Sequence, residues 1–589
     1  MVISSRPLVE LVPVQPAAMA GRQMCQWDKD SCADAGFLKI DLLGLGMLSA
    51  VERAVEDVAK HRHERIDLSR IPYDDPPTYD AIQRAETTGV FQIESRAQMA
   101  SLLRTRPRTL QDITIQVAIV RPGPIQGGAV NPYIERLQRL RADPDYEVPY
   151  EHPSLVEPLR ETLGTIIFQD QVIEVAMAFA GFSAGEAEGL RRAMSRKRSE
   201  AAIEAHHRAF VAGAMQTHGV CEQLAERVFE MVRGFSGFGF PKAHGAAFGL
   251  LAYQSTWLRV HYAPEFLCAL LNEQPMGFYP PDALVHEAQR RGLTIRPPDV
   301  NASAVDCTIE AVGAATAAGT VRVGLGYVRG VRREDAEALV AARAAGGPFR
   351  DLGDLSARAG AGRPALELLA WSGACDALAG GDRRVALWRL GVATPGKRVP
   401  QGTQLALGLD LPQAPRLTRL GPWGELLADY DATGLTARSH PLAQLRPALR
   451  RGVAASRDLP RIDHGRRVQV AGMVVARQRP GTASGVVFML LEDEHGTINL
   501  IVPPKLYERS RLTVRTEPLV LAAGRLERHP AAGGGINVLV ERIDPLHAPG
   551  ETLADVRELA PAGAAGEGAA DDFRAVAPAV MSFAQGRRR

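Results

Sequence analysis

Phe168-Gln169-Asp170-Gln171, continuing through Ile173, Val175, Ala176 and Phe179, sets the character of the long middle of the chain. Its apolar residues return at intervals of three and four, the spacing that lays them along one helix face. The same period, punctuated by helix breakers, runs from about 75 to 275, so a helical region is expected there. One stretch interrupts it: Arg121-Pro122-Gly123-Pro124-Ile125-Gln126-Gly127-Gly128 is too rich in proline and glycine for a regular state. We expect that loop to end a helix and to position backbone amides.

On the N-terminal side, residues 1–50 carry a short apolar strand, Leu8 to Val14, and the apolar run Phe37 to Leu48, broken by Gly44 and Gly46. So short a segment cannot bury both faces of its strands, and it reads as a piece of a larger domain. On the C-terminal side, Pro280-Pro281 and Pro297-Pro298 bracket a helix from Asp282 to Arg291. Residues 324–380 read as paired helices around Gly324-Leu325-Gly326-Tyr327-Val328-Arg329-Gly330-Val331, and 385–460 as proline-rich connector. Period-two alternation then appears at Val468, Val470, Gly472 and Val474, and again over Val486 to Leu491 and Ile498 to Val502. With the turn Glu494-His495-Gly496 this predicts a small β-barrel. The Ala/Gly-rich tail after 548, ending Arg587-Arg588-Arg589, is expected to be disordered.

Bulk properties exclude more than they assign. The 589 residues suffice for several domains; 46% are hydrophobic and 23% charged, as in an ordinary globular protein. A net charge of +2 advertises no polyanion partner, yet bases gather at Arg104-Thr105-Arg106-Pro107-Arg108 and Arg196-Lys197-Arg198, as a local DNA-binding face would require. Six scattered cysteines without C-x-x-C pairing argue against a zinc site and a disulfide framework. His61, His63, His206 and His207 read as surface residues. No apolar run is long enough to span a bilayer, and with no signal-peptide pattern the expected location is cytoplasmic.

Six strings, in order, resemble the bacterial C-family DNA polymerases (the DNA polymerase III alpha-like group). They are Lys39-Ile40-Asp41-Leu42-Leu43-Gly44-Leu45, Gly89-Val90-Phe91-Gln92-Ile93-Glu94-Ser95, Arg121-Pro122-Gly123-Pro124, Phe168-Gln169-Asp170-Gln171, Leu190-Arg191-Arg192-Ala193-Met194, and Phe235-Ser236-Gly237-Phe238-Gly239-Phe240-Pro241-Lys242-Ala243-His244. Gln26-Trp27-Asp28-Lys29-Asp30 and Asn272-Glu273-Gln274-Pro275-Met276-Gly277-Phe278-Tyr279 look like the error-prone, lesion-bypass branch. The resemblance implies a multi-domain α+β chain. Residues 1–50 would be the C-terminal piece of a palm, 51–275 mainly helical fingers, and 276–384 a helix-hairpin-helix region. A connector at 385–465, an OB-fold at 466–547 and the tail at 548–589 would follow. The family's phosphoesterase-like domain, thumb and most of the palm would lie outside it.

It implies DNA-directed DNA synthesis on primer-template DNA from deoxynucleoside triphosphates, error-prone and damage-tolerant, with Mg²⁺ as cofactor. Two such cations need several converging carboxylates. Asp41 matches one of three palm aspartates and is the expected catalytic and metal-binding residue. Asp143-Pro144-Asp145 and Glu492-Asp493-Glu494 are not credible substitutes for the other two, so activity of this chain alone is doubtful. The alternative is a non-catalytic DNA-binding scaffold of a mutasome.

Lys39, Arg191 and Arg192 would neutralise the incoming triphosphate, and Lys242 and His244 would contact the same phosphates or the template. Gly324, Gly326, Arg329 and Gly330 would form a hairpin whose amides approach DNA phosphates. Phe238, Phe240 and Tyr253 read more readily as core than as base-pair platforms. Phe488 and Tyr507 give the barrel little stacking capacity. Gln404, Leu407 and Leu409 occupy the place of a sliding-clamp motif, but Gly408 stands where bulk is expected, so direct clamp binding would be weak and mutasome accessory proteins would compensate.

Overall fold

The computed structural model describes residues 4–17, 21–27, 29–37, 44–120, 128–194, 200–234, 240–312, 319–393, 414–479, 483–528, 535–547, 573–578 and 580–582. It divides into two compact units, Met1–Leu45 and Gly46–Arg589. In the first unit, Leu8–Glu10 forms a single 3₁₀ turn rather than the expected strand. Strands Val14–Pro16 and Gln23–Cys25 pair antiparallel, followed by helix Lys29–Asp34. Pro7 and Pro13 flank the Leu8–Val12 stretch, and neither can donate to a ladder, which explains the late start of pairing.

The second unit is helical from about 75 to 275, as the periodicity predicts, and helix Leu45–Arg62 extends the helical region before it. Its axis is helix Lys242–His261. Gly249 lets that helix lie against Leu110–Ile119: a Cβ there would sit 3.1 Å from Thr114 Oγ1 and 3.3 Å from its Cα. Tyr253, wholly buried, donates to the Pro72 carbonyl at 2.6 Å and accepts from the Asp75 amide at 3.2 Å. A second core gathers Leu155, Phe179, Leu190, Phe210 and Phe229 from the helices between 153 and 234. The fingers region is therefore two packing clusters.

The expected boundary at 275 is not a packing boundary. Helix Pro281–Arg290 and the sheet of strands Thr294–Arg296, Thr308–Val312 and Gly319–Arg322 join the core of helix Ala263–Asn272. Buried Cys268 and Cys307 meet there, with Cys268 Sγ 3.2 Å from the Cys307 carbonyl.

The connector contains more core than its proline content foretells. Helix Pro422–Thr433 buries Leu426, Leu427 and Tyr430. Arg383, 2% exposed, donates to Asp429 at 2.5 Å, fastening this helix to the paired-helix region before it.

The barrel follows period two. Strands Arg467–Gln478, Val487–Asp493, Gly496–Val502, Leu519–Arg528 and Ile536–Pro545 close on themselves through pairing of the first with the fourth. The third and fifth run parallel, and two short helices, Pro504–Arg509 and Arg511–Thr516, bridge strands three and four. This is the OB topology. Two pieces of the tail belong to the fold. Phe573 packs on Trp423 and Tyr430, and Met581–Ser582 pairs with Arg467–Gln478. No helix among the described residues is long and apolar enough to cross a membrane.

Candidate nucleotide- and DNA-binding surface

Arg191 and Arg192 lie in the last turn of helix Ala184–Met194, whose carbonyl end favours cations. One carboxylate serves both. Glu188 accepts two Arg191 hydrogen bonds at 2.6 Å each and one from Arg192 Nε at 2.9 Å. The Arg191 fork holds the Glu188 carboxyl at about 2. Lys242 opens its helix, donating its amide to Asp170 at 2.7 Å and its ammonium to Glu161 at 2.6 Å. Asp170 also acts on Arg191, whose guanidinium is raised first by the Glu188 bond and further by Asp170.

The fold thus brings Arg191 and Lys242 to Asp170 although they lie far apart in sequence, and Glu188 ties Arg192 to Arg191. Each cation is already matched to a carboxylate, Glu188 or Glu161. His244 stands edge-on between Phe240 and Phe248, centroids 4.9 and 4.5 Å away. Phe240 and Tyr253 are buried core, as weighed from sequence. Lys39, Asp41, Gln404, Leu407 and Leu409, with Arg121, Phe238 and the Arg196-Lys197-Arg198 run, lie outside the described residues.

The hairpin glycines are committed to packing. A Cβ on Gly324 would meet the Val305 carbonyl oxygen at 2.4 Å, and one on Gly326 the same atom at 3.0 Å. The amides of Leu325, Gly326 and Arg329 donate to Ala304, Val305 and Ala432. Arg329 also reaches the Tyr430 carbonyl at 3.3 Å, near the end of helix Pro422–Thr433, where cations suit the orphan acceptors. Gly330, with φ of +82°, is exposed, as are Gly326 and Arg329, and helix Arg333–Gly346 that follows carries Glu334 and Asp335 in its first turn, with Arg332 and Arg333 paired to Asp335 and Asp306. The barrel aromatics are engaged too: Arg96 lies 5.2 Å over Phe488, and Arg479 4.6 Å over Tyr507.

Two quoted motifs meet in the interior. Glu94, wholly buried, faces Gly277, and its carbonyl accepts the Tyr279 hydroxyl at 3.0 Å. Its carboxylate oxygens make no well-formed hydrogen bond, although the Phe278 and Gly89 amides lean toward them. Desolvation raises this carboxyl to about 7. The folded state therefore keeps a proton that the unfolded chain loses near 4.5. Stability is greatest below that value and falls by about 1.4 kcal/mol per pH unit until about 7. Urea titrations of Glu94→Gln should lose this slope; an unchanged slope would rule out Glu94 as its source.

A magnesium pair demands oxygens. Among the described residues, the one trio with metal-ligand atom types drawn together is His286, His440 and Glu492. Two nitrogens and one oxygen do not fit it, so the described residues do not form a magnesium centre.

Helical fingers, a helix-hairpin-helix and an OB barrel in this order define a multi-domain nucleic-acid-processing architecture. Family models match in the same order: bacterial DNA polymerase III alpha NTPase domain at 1–44, its finger domain at 47–218, a helix-hairpin-helix motif at 292–386 and an OB-fold nucleic acid binding domain at 468–546. The error-prone DNA polymerase of Pseudomonas fluorescens (strain Pf0-1) is 46% identical over 534 residues, covering 90% of this chain and 50% of that protein. That of Anaeromyxobacter sp. (strain K) is 44% identical, covering 95% and 49%. That of Mycobacterium tuberculosis (H37Rv) is 43% identical, covering 93% and 48%. The chain is thus similar over most of its length to bacterial DNA polymerase III alpha-like proteins, and among them to error-prone DNA polymerases. It spans about half the length of the curated relatives it matches. A solved asparaginyl-tRNA synthetase from Pyrococcus horikoshii aligns with 16% of the chain at 22% identity and a TM-score of 0.14, too little to bear on the fold.

Proposed function

We propose that this chain supplies the fingers, hairpin and barrel of a cytoplasmic DNA-directed DNA polymerase that extends primers across damaged template with low fidelity. The observation that carries this reading is the alignment of nine-tenths of the chain with error-prone DNA polymerases. In this reading Arg191, Arg192 and Lys242 hold the triphosphate. A phosphate takes the Arg191 fork from Glu188, exchanging one bidentate anion for another without leaving a cation bare. Lys39 and His244 assist, and Asp41 would be one of the carboxylates to hold magnesium, which would supply positive charge for the primer hydroxyl and the leaving pyrophosphate.

The turn from Arg329 to Arg333 meets duplex phosphates through Gly330 and the following helix start, with Gly324 and Gly326 shaping the turn from behind. Gln404, Leu407 and Leu409 give a weak clamp contact that accessory mutasome proteins supplement.

The test is steady-state primer extension by a chimera in which the half not spanned here comes from the Pseudomonas relative. Arg191→Ala should raise KM for deoxynucleotide roughly 10- to 100-fold, the worth of one charge-assisted contact, with primer-template affinity unchanged. Equal losses in nucleotide and DNA binding would overturn the assignment of Arg191; no extension by the unmutated chimera would overturn the polymerase reading.

A further inference from the structure

The barrel meets the helical body through a buried knot of charge. Glu492, 1% exposed on strand Val487–Asp493, accepts from Arg290 at 2.7 Å. Its other oxygen lies 3.3 Å from Nδ1 of His286. Asp282, one turn earlier on the same helix, lies 3.6 Å from that nitrogen on its own side. Asp282 also accepts from Tyr430 at 3.0 Å and the Thr436 amide at 3.2 Å. His440 closes the knot, its ring 4.6 Å from that of His286. Tyr279 feels the Glu492 charge, and Arg446 stands beyond His440.

The atom types would suit a soft divalent ion, but the hydrogen bonds do not. The Leu442 amide donates to Nδ1 of His440 at 3.1 Å, so the neutral ring carries its proton on Nε2 and turns an N–H toward Glu492. A ligating histidine does the reverse, donating from its far nitrogen. Arg290 further occupies the carboxylate that a metal would need.

Two imidazoles so close cannot both be charged in a buried site. His286 has a carboxylate on each side, whereas His440 faces the other ring and the Arg290 and Arg446 fields. The proton goes to His286. Its Nε2 has no partner in either protonation state and does not decide the matter.

We propose that the barrel is seated on helix Pro281–Arg290 by a proton-dependent latch, in which a protonated His286 bridges Asp282 and Glu492 while His440 stays neutral, so that alkaline pH loosens the seating. The titration agrees: although burial opposes it, the two carboxylates raise His286, while burial and then His286 lower His440. For a raised group the stability is complete below its ordinary value near 6.5 and is lost as pH climbs through the raised one. Glu492, held at about 2, stays charged throughout.

Hydrogen exchange of the full chain between pH 6.5 and 9, corrected for intrinsic exchange, reads the latch at peptides 281–293 and 487–496. In the unmutated protein the opening constant should rise by at most about tenfold per pH unit, the one-proton slope. His286→Gln should flatten that limb. His440→Asn, which can still cap its helix, should retain it. A flat profile in the unmutated protein, a limb that survives His286→Gln, or one equivalent of zinc retained through dialysis and lost in His440→Asn would each overturn the latch.

Discussion

Asp41→Asn in the chimera is expected to lower nucleotide incorporation by at least about 10³-fold, with primer-template affinity changed by less than about threefold. The substitution keeps the side chain's size and removes its charge. In the resemblance Asp41 is one of only three acids facing two dications and a leaving pyrophosphate. An amide there weakens the charge compensation that exists only while the phosphoryl group is in transit, so the loss falls on kcat. Single-turnover extension on an undamaged template measures it. A kcat within tenfold of the unmutated chimera would remove Asp41 from the catalytic set.

Arg383→Ala should destabilise the chain by about 3–5 kcal/mol, the cost of stranding a buried charge. Arg383 is 2% exposed and donates to Asp429 at 2.5 Å, to the Trp371 carbonyl at 3.1 Å and to the Glu425 carbonyl at 3.3 Å. Its removal leaves Asp429, 5% exposed, with the Thr436 hydroxyl at 3.0 Å and the Arg438 guanidinium at 3.8 Å as its remaining partners. The paired-helix region and helix Pro422–Thr433 should then part. Replacing both partners by apolar residues, Arg383→Met with Asp429→Leu, should recover most of the loss because no charge is left buried. Urea unfolding followed through Trp371 and Trp423 reads both variants. A single-variant loss under about 1 kcal/mol would show that the pair is solvated in solution.

Local pattern made much of this architecture legible. A period of three to four along Ile173, Val175, Ala176 and Phe179 can bury its apolar residues only as a helix, and Val468, Val470 and Val474 only as a strand. The order of motifs likewise announced the family resemblance. Proline content misled at 385–465, where helix Pro422–Thr433 uses its proline at the first turn, a position that needs no amide donor.

The amino-acid sequence by itself determined the elements, their order and the family resemblance, because hydrophobic period and turn chemistry act over a few residues. Tertiary structure alone decided the polar pairings: Arg383 with Asp429, Lys242 with Asp170, His286 with Glu492. Those partners are 46, 72 and 206 residues apart. Coulomb attraction and desolvation act through space, so which charge faces which is settled only once the apolar cores have brought distant segments together.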